Sequence, residues 1–439
     1  MVGPGFCLFN DIICHSVLRQ LGRQAAIQNI AFTTHHQRSS GNPMRKHFMF
    51  LNIGHFLDHM FILIYPTVVL ALQDEWSFAY DDLLIYGSLG VFAFGAASIP
   101  MGWLGDRWSR HGMMSVFFIG IGLSAIGAGF ATTPFQIGMG MLAIGIFAAI
   151  YHPVGIAMVF SGAENAGRDL AVNGVWGNLG LAAAAVTAAT ITELIGWKYA
   201  FFIPGAISVL IGVAYAMTYG QQGDPVIAKR KSAAVALTNQ GLMARIFFAM
   251  AMAATLGGLV FHATSTALPK IIEQGASGVV GRLSEIGLFA MLIFAVASIA
   301  QLIIGNLIEK FEARWILACV TGTQALFLFL APAGSDYILM ILLFGMMFAV
   351  FGQIPVNDWL VGHYSANEWR ARFYALKYTL GLTVAALAYW LVATLHARFG
   401  GFDELYMLLG GLMTLVAFSS MLLPDSKTEA EAAAPQPAE

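Results

Sequence analysis

The segment Gly102–His111, with the sequence GWLGDRWSRH, is a polar turn between two long apolar runs. Its pattern of glycine, leucine, acidic and basic residue returns 203 positions later as Gly305-x-Leu307-x-Glu309-Lys310. Two turns of the same composition at this separation predict that the chain consists of two related halves.

Three further landmarks keep nearly the same register. Tyr65-Pro66 corresponds to Leu268-Pro269, and Gly54 and His59 correspond to Gly257 and His262, all at an offset of 203. Pro153-Val154 corresponds to Pro355-Val356, and Arg168 to Arg370, at an offset of 202. A chance match would not hold one register over separated landmarks, so we expect two six-helix bundles of the same orientation, related by pseudo-symmetry.

The composition requires a lipid bilayer as solvent. Hydrophobic residues make up 58% of the 439 residues and charged residues 10%, far from the roughly 25% charged residues of a soluble domain. Continuous apolar runs of about 20 residues fit helices that cross a membrane, whereas a barrel would show alternating segments of about ten. We therefore predict an all-α integral membrane protein with twelve helices near 49–72, 83–103, 113–132, 135–160, 171–193, 199–219, 246–269, 284–307, 315–333, 337–361, 373–396 and 404–423.

The distribution of Lys and Arg predicts the orientation. With a cytoplasmic amino terminus, the inner loops contain eleven of these residues and the outer loops four, namely Lys198, Lys270, Arg282 and Arg398. Because inner loops carry the excess of positive charge, we expect both termini in the cytoplasm, with the chain in a bacterial inner membrane.

The polar stretches divide the chain into five parts. We expect a cytoplasmic extension at 1–46, bundles at 47–220 and 245–423, a cytoplasmic linker at 221–244 and a disordered tail at 424–439. The first 43 residues contain no apolar core that leads to a cleavage site, so they do not resemble a secretory signal. We expect a chain that starts at Met44 to insert and transport normally.

The segment Gly102–His111 resembles the signature loop between helices two and three of the major facilitator superfamily. The resemblance implies a gate in which Asp106 meets the positive amino end of helix eleven near Arg370, and Glu309 meets helix five near Arg168. The residues assigned to this gate are Gly102, Gly105, Asp106, Arg107, Arg110, Arg168, Gly305, Glu309, Lys310, Arg314 and Arg370.

Within that superfamily, the amino half resembles the fosmidomycin-resistance-like transporters. The resemblance rests on His55-x-x-Asp58 with Tyr65-Pro66, on Tyr151-His152-Pro153, and on Gly174-x-x-Gly177-Asn178-x-Gly180. It implies drug export. The direction of transport stays open, as uptake of a small organic anion or metabolite by a symporter or uniporter is the alternative.

Polar residues inside the apolar runs are costly, so they mark candidate sites. Asn52, His55, Asp58 and His59 are spaced by three and four residues and therefore share one face of the first helix. The superfamily resemblance places helices one, four, seven and ten around a central cavity. The candidates for substrate binding or proton coupling are Asn52, His55, Asp58, His59, Tyr65, His152, His262, Gln353, Asn357, Asp358 and Lys377.

Asp58 is the predicted proton carrier. Burial disfavours a charged carboxylate, while charged His55 and His59 within one turn would favour it, a balance suited to binding and releasing a proton. Asp358 and Lys377 are a second pair, either a salt bridge between helices ten and eleven or a gate and anion site at Lys377.

The expected function is proton-coupled export of a small organic solute or drug by alternating access. We expect a monomer whose partners are a small-molecule substrate, protons and lipid. The net charge of −2 argues against nucleic acid, and we expect no cofactor and no metal.

His55 and His59, one turn apart beside a carboxylate, also permit a different class, an intramembrane metal-dependent hydrolase. The missing His-Glu-x-x-His pattern and the two-half repeat argue against that class. Stoichiometric zinc that is lost in His55→Ala would favour it.

Overall fold

The computed structural model describes residues 43–162, 166–220, 240–364 and 367–425, and these contain helices and no strand. Leu51–Glu439 forms one compact unit, and residues 43–50, which are helical, belong to another. The long helices are α1 Pro43–Trp76, α2 Tyr80–Arg107, α3 Arg110–Gly129, α4 Pro134–Ser161, α5 Ala166–Ile195, α6 Trp197–Tyr219, α7 Gln240–Gly275, α8 Leu283–Ile308, α9 Ala313–Leu330, α10 Asp336–Tyr364, α11 Asn367–Phe399 and α12 Asp403–Ser419.

Each of the twelve predicted helices coincides with one of these elements. Within the described residues, eleven helices are long and apolar enough to cross a membrane, and α11 contributes the shorter apolar segment Val384–Phe399. Several helices are longer than the apolar runs, and α7 already begins at Gln240, inside the predicted linker. The prediction of an all-α membrane protein is confirmed.

Local sequence explains where several helices begin. The Ser109 hydroxyl accepts a hydrogen bond from the Gly112 amide at 3.0 Å and caps α3. Thr133 caps α4 in the same way, followed by Pro134 at the first helical position. Gly196, with φ of +103°, makes the turn between α5 and α6, a backbone conformation that suits glycine.

Small residues bring α2 and α4 into close contact. A Cβ atom added at Gly145 would lie 1.9 Å from the carbonyl oxygen of Gly90. Only glycine permits this approach, as is common where helices pack in lipid. The crossing fixes α4, which carries Tyr151 and His152, within the amino half.

The two halves repeat a buried hydrogen bond. The Tyr151 hydroxyl donates to the Leu51 carbonyl at 2.7 Å, and the Gln353 side-chain amide donates to the Ala253 carbonyl at 3.0 Å. Donor and acceptor are each displaced by 202 residues. The sequence repeat therefore reflects equivalent packing of α1 on α4 and of α7 on α10.

Polar contacts join the halves at one end of the bundle, which we call the Lys270 end and which the charge distribution predicts to be external. Among the described residues, three hydrogen bonds connect them there: Lys270 Nζ donates to Gln73 Oε1 at 3.0 Å, His396 Nδ1 donates to Asp81 Oδ1 at 3.1 Å, and the Ser284 amide donates to Glu193 Oε2 at 2.8 Å. The opposite end, which carries Arg107, we call the Arg107 end.

Candidate functional site

The polar face of α1 meets His152 of α4 inside the amino half. Asp58 is fully buried, and Asn52 and His55 are nearly so, while His59 and His152 are half-buried. The structure thus groups three histidines, His55, His59 and His152, which we call the histidine cluster. The sequence analysis placed all three in one cavity without predicting their contacts.

His55 is held by contacts on two sides. Its Nδ1 lies 2.8 Å from the backbone carbonyl oxygen of Asn173, and its ring stacks on Tyr151 with the centroids 4.9 Å apart. A carbonyl oxygen only accepts, so Nδ1 carries the hydrogen and the Nε2 of a neutral His55 has a lone pair. This Nε2 lies 3.1 Å from His59 Nε2.

Asp58 faces His152 across the contact of α1 with α4. Its Oδ2 atom lies 3.4 Å from His152 Nε2, and in the described part of the chain both carboxyl oxygens are buried without a hydrogen-bond partner. A buried carboxylate is costly when it is charged and poorly paired. Binding of a proton by Asp58 therefore removes the free-energy cost of this buried charge, and its release restores that cost.

A π-helical turn at Tyr151–Gly155 sets the position of His152 in α4. Pro153, inside this turn, has no backbone N–H and so cannot complete a regular helical ladder. Turns of this kind occur frequently at functional sites. Here the turn presents Tyr151 and His152 to the polar face of α1.

Asn173 of α5 is a site residue that sequence reasoning missed. Its side-chain Nδ2 lies 2.9 Å from Asn52 Oδ1 and 2.8 Å from the Tyr151 hydroxyl. With its carbonyl on His55, Asn173 connects α1, α4 and α5. A buried asparagine within an apolar run was the available signal.

The glycines of α5 have different surroundings. A Cβ atom at Gly177 would lie 2.7 Å from His55 Nε2, and one at Gly180 would lie 2.2 Å from the Phe56 carbonyl oxygen. A Cβ atom at Gly174 would meet nothing within 4 Å. Gly177 therefore leaves space for the His55 ring, and Gly180 allows α5 to approach the α1 backbone.

Of the candidates in the carboxyl half, His262 is the one with an interaction toward the cluster among the described residues. His262 of α7 is half-buried and near enough to His59 for an electrostatic interaction. Gln353 is buried, donates to Ala253 and accepts from Gln324 at 3.0 Å, so it packs α10. The Asn357 Oδ1 atom is buried with no hydrogen-bond partner in the described residues.

Tyr65, Asp358 and Lys377 are the remaining candidates of this set. The Tyr65 hydroxyl donates to the Leu83 carbonyl at 2.6 Å, which fixes α1 to the start of α2. Asp358 is half-buried in α10. The side chain of Lys377 lies outside the described residues, so its pairing with Asp358 stays a prediction.

At the Arg107 end, Asp106 is 69% exposed and pairs with Arg110 of its own half at 2.6 Å. Arg107 lies over the Trp103 ring at 5.0 Å, and Arg314 binds Glu312 at 2.8 Å. Arg168, Glu309 and Lys310 are exposed, and the Arg370 side chain lies outside the described residues. The predicted contacts of Asp106 and Glu309 with the other half stay predictions.

The gate glycines differ between the halves. Added Cβ atoms would lie 2.9 Å from the Pro153 side chain at Gly102 and 2.7 Å from Val154 at Gly105, whereas Gly305 has nothing within 4 Å. The amino-half glycines therefore pack α2 against the π-helical turn. Because this turn carries His152, the packing connects the Gly102–His111 segment with the histidine cluster.

At the Lys270 end, the contacts between the halves include Lys270, which sequence reasoning had counted only as a loop charge. Lys270 is buried, pairs with Glu273 and lies 5.3 Å from the Tyr80 ring centroid. Glu193, at the end of α5, accepts from an amide at the start of α8, where a carboxylate suits the helix dipole. Tertiary packing alone brings these distant positions together.

The histidine cluster also has the geometry of a possible metal site. One ligand nitrogen from each of the three rings lies within 4.8 Å of the others.

Comparisons with known proteins agree with this architecture. A bacterial homologue of the human lysosomal transporter Spinster, crystallised in an inward-facing and occupied conformation, superposes with a TM-score of 0.68 at 14% identity, over 90% of this chain and 97% of that one. Its inward-facing, unoccupied form gives a TM-score of 0.63 at the same identity and coverage. At this identity the similarity concerns the fold.

No curated protein sequence matches the chain. The family model described as Major Facilitator Superfamily matches residues 51–283 and 280–439. These matches cover most of the chain and both of its halves, and the protein therefore belongs to the major facilitator superfamily.

Proposed function

We propose that this secondary transporter exports a small organic solute or drug in exchange for protons. The observation that carries the proposal is the buried contact between Asp58 and His152, on the wall of the amino half that approaches His262 of α7. A polar group so buried in a membrane protein is expected to lie on a substrate or ion pathway.

Asp58 is the proposed proton carrier. Its carboxylate lies beside the His152 imidazole. A proton bound by Asp58 removes a buried charge, whereas a proton bound by His152 creates an ion pair. Alternating access would expose this pair first to the outer side, where it takes up a proton, and then to the cytoplasm. Release there would accompany outward movement of the solute.

The test is transport in proteoliposomes with an imposed pH gradient. Asp58→Asn keeps the shape of the side chain and removes the titrating group, so we expect solute flux driven by the gradient to stop while solute binding persists. Asp403→Asn, at an exposed position at the start of α12, is the matched control and should transport normally. Gradient-driven flux at the wild-type rate in Asp58→Asn would refute the coupling role.

The direction of transport separates export from the alternative, uptake of a small organic anion or metabolite by a symporter or uniporter. The likeness to the fosmidomycin-resistance-like group supports export. Expression in a sensitive bacterial strain, followed by growth with toxic compounds and on single carbon sources, distinguishes the two. Resistance supports export, and growth on a new carbon source supports uptake.

We further propose a monomer in a bacterial inner membrane with both termini in the cytoplasm. The orientation is supported by the excess of Lys and Arg on the loops of the Arg107 end. Reporter fusions at each terminus that are active only in the cytoplasm test the orientation.

A further inference from the structure

We propose that the histidine cluster binds one divalent transition metal ion, with Zn²⁺ as the probe. From the sequence we considered His55 and His59 with the carboxylate beside them as possible ligands, and we expected no metal. The fold adds His152 from α4, and the nitrogens of the three rings come within 4.8 Å of one another. Three imidazoles are a ligand set that Zn²⁺, Co²⁺ and Ni²⁺ accept.

Two of the ligand atoms already have the spacing of a metal site. Zinc-to-nitrogen bonds of about 2.0–2.1 Å in a tetrahedron place the ligand atoms about 3.3 Å apart. His55 Nε2 and His59 Nε2 lie 3.1 Å apart. Closing the longest separation from 4.8 Å needs a movement of about 1.5 Å, within reach of a change in the His152 ring orientation.

The surroundings of the cluster also match a metal site. A metal-bound histidine usually donates its second ring nitrogen to a carbonyl or a carboxylate, which fixes the ligand nitrogen toward the ion. The Asn173 carbonyl does this for His55, because it holds Nδ1–H and leaves the Nε2 lone pair directed at His59. Asp58 Oδ2, 3.4 Å from His152 Nε2, is a carboxylate neighbour of the second ligand ring.

The cluster is partly exposed. His59 and His152 are half-buried, in contrast to His55, and His59 is near enough to His262 of the carboxyl half for an electrostatic interaction. The inference rests on the proposed function only in that the transport cavity is the route by which the ion arrives. Since the fold is that of a transporter, zinc binding by itself does not indicate hydrolysis.

The test is binding by the full-length protein in detergent, measured by equilibrium dialysis with metal analysis and by the visible absorption of bound Co²⁺. We expect about one ion per chain and a tetrahedral Co²⁺ spectrum. His59→Gln and His152→Gln should each weaken binding at least tenfold. His111→Gln is the control, because His111 is also a buried histidine but bonds Tyr215 between α3 and α6.

A second pair of variants leaves all three ligands in place. Gly177→Ala adds a methyl group 2.7 Å from His55 Nε2 and should weaken binding, whereas Gly174→Ala, three residues earlier with nothing within 4 Å, should not. Binding that is absent in the wild type, or equal in the wild type and all cluster variants, would overturn the site. A variant that elutes as aggregate is replaced by the glycine pair.

The outcomes for metal binding and for proton coupling are separable. Asp58→Asn retains the three imidazoles, so it should still bind zinc, although more weakly than the wild type. The same variant should have lost transport driven by a pH gradient. Loss of coupling with zinc bound supports both proposals. A wild-type protein that couples solute flux to protons but binds no zinc refutes the metal site alone.

Discussion

Replacement of Gly180 by alanine tests whether close packing of α5 on α1 maintains the site. The added Cβ atom would lie 2.2 Å from the Phe56 carbonyl oxygen. An ordinary contact of a Cβ atom begins at 3.4 Å, so the two helices must separate by about 1 Å or more, and overpacking of this kind costs roughly 1–3 kcal/mol. Phe56 adjoins His55, whose 2.8 Å contact with the Asn173 carbonyl crosses the same pair of helices. A separation of about 1 Å would break that hydrogen bond.

We therefore expect Gly180→Ala to lower the thermal unfolding temperature in detergent and to reduce transport. Gly174→Ala, on the same helix with no neighbour within 4 Å, is the control. It should unfold at the wild-type temperature or slightly above, because alanine favours a helix over glycine by about 1 kcal/mol. Equal unfolding temperatures and equal transport for the two variants would refute the argument from packing.

Three further predictions follow from contacts at the two ends and in the core. Asp106→Asn should shift the population toward the inward-open state, measured by cysteine accessibility from each side; unchanged accessibility would leave the loop with a structural role. Glu193→Gln should shift it the opposite way, because the contact with the Ser284 amide joins the halves at the Lys270 end. Tyr151→Phe removes a hydroxyl that bonds Leu51 and Asn173, so it should cost about 1–3 kcal/mol in stability, and an unchanged unfolding temperature would argue against that network.

The sequence alone determined the architecture. Apolar runs long enough to cross a bilayer are a local property, so all twelve helices could be located. The repeat between Gly54 and Gly257 also predicted that both halves have the same fold, and the matched hydrogen bonds of Tyr151 and Gln353 confirm it. The spacing of Asn52, His55, Asp58 and His59 placed these side chains on one face of one helix.

Only the tertiary structure decided which residues of different helices meet. His152 joins His55 and His59 because a π-helical turn and the approach of Gly145 to Gly90 fix α4 against its neighbours. The same is true of Asn173 and Lys270. Their contacts with α1 join positions 118 and 197 residues apart in the sequence, so no local pattern indicates them. Hydropathy and helical spacing depend on neighbours within one helix, whereas contacts between helices depend on how their surfaces pack in three dimensions.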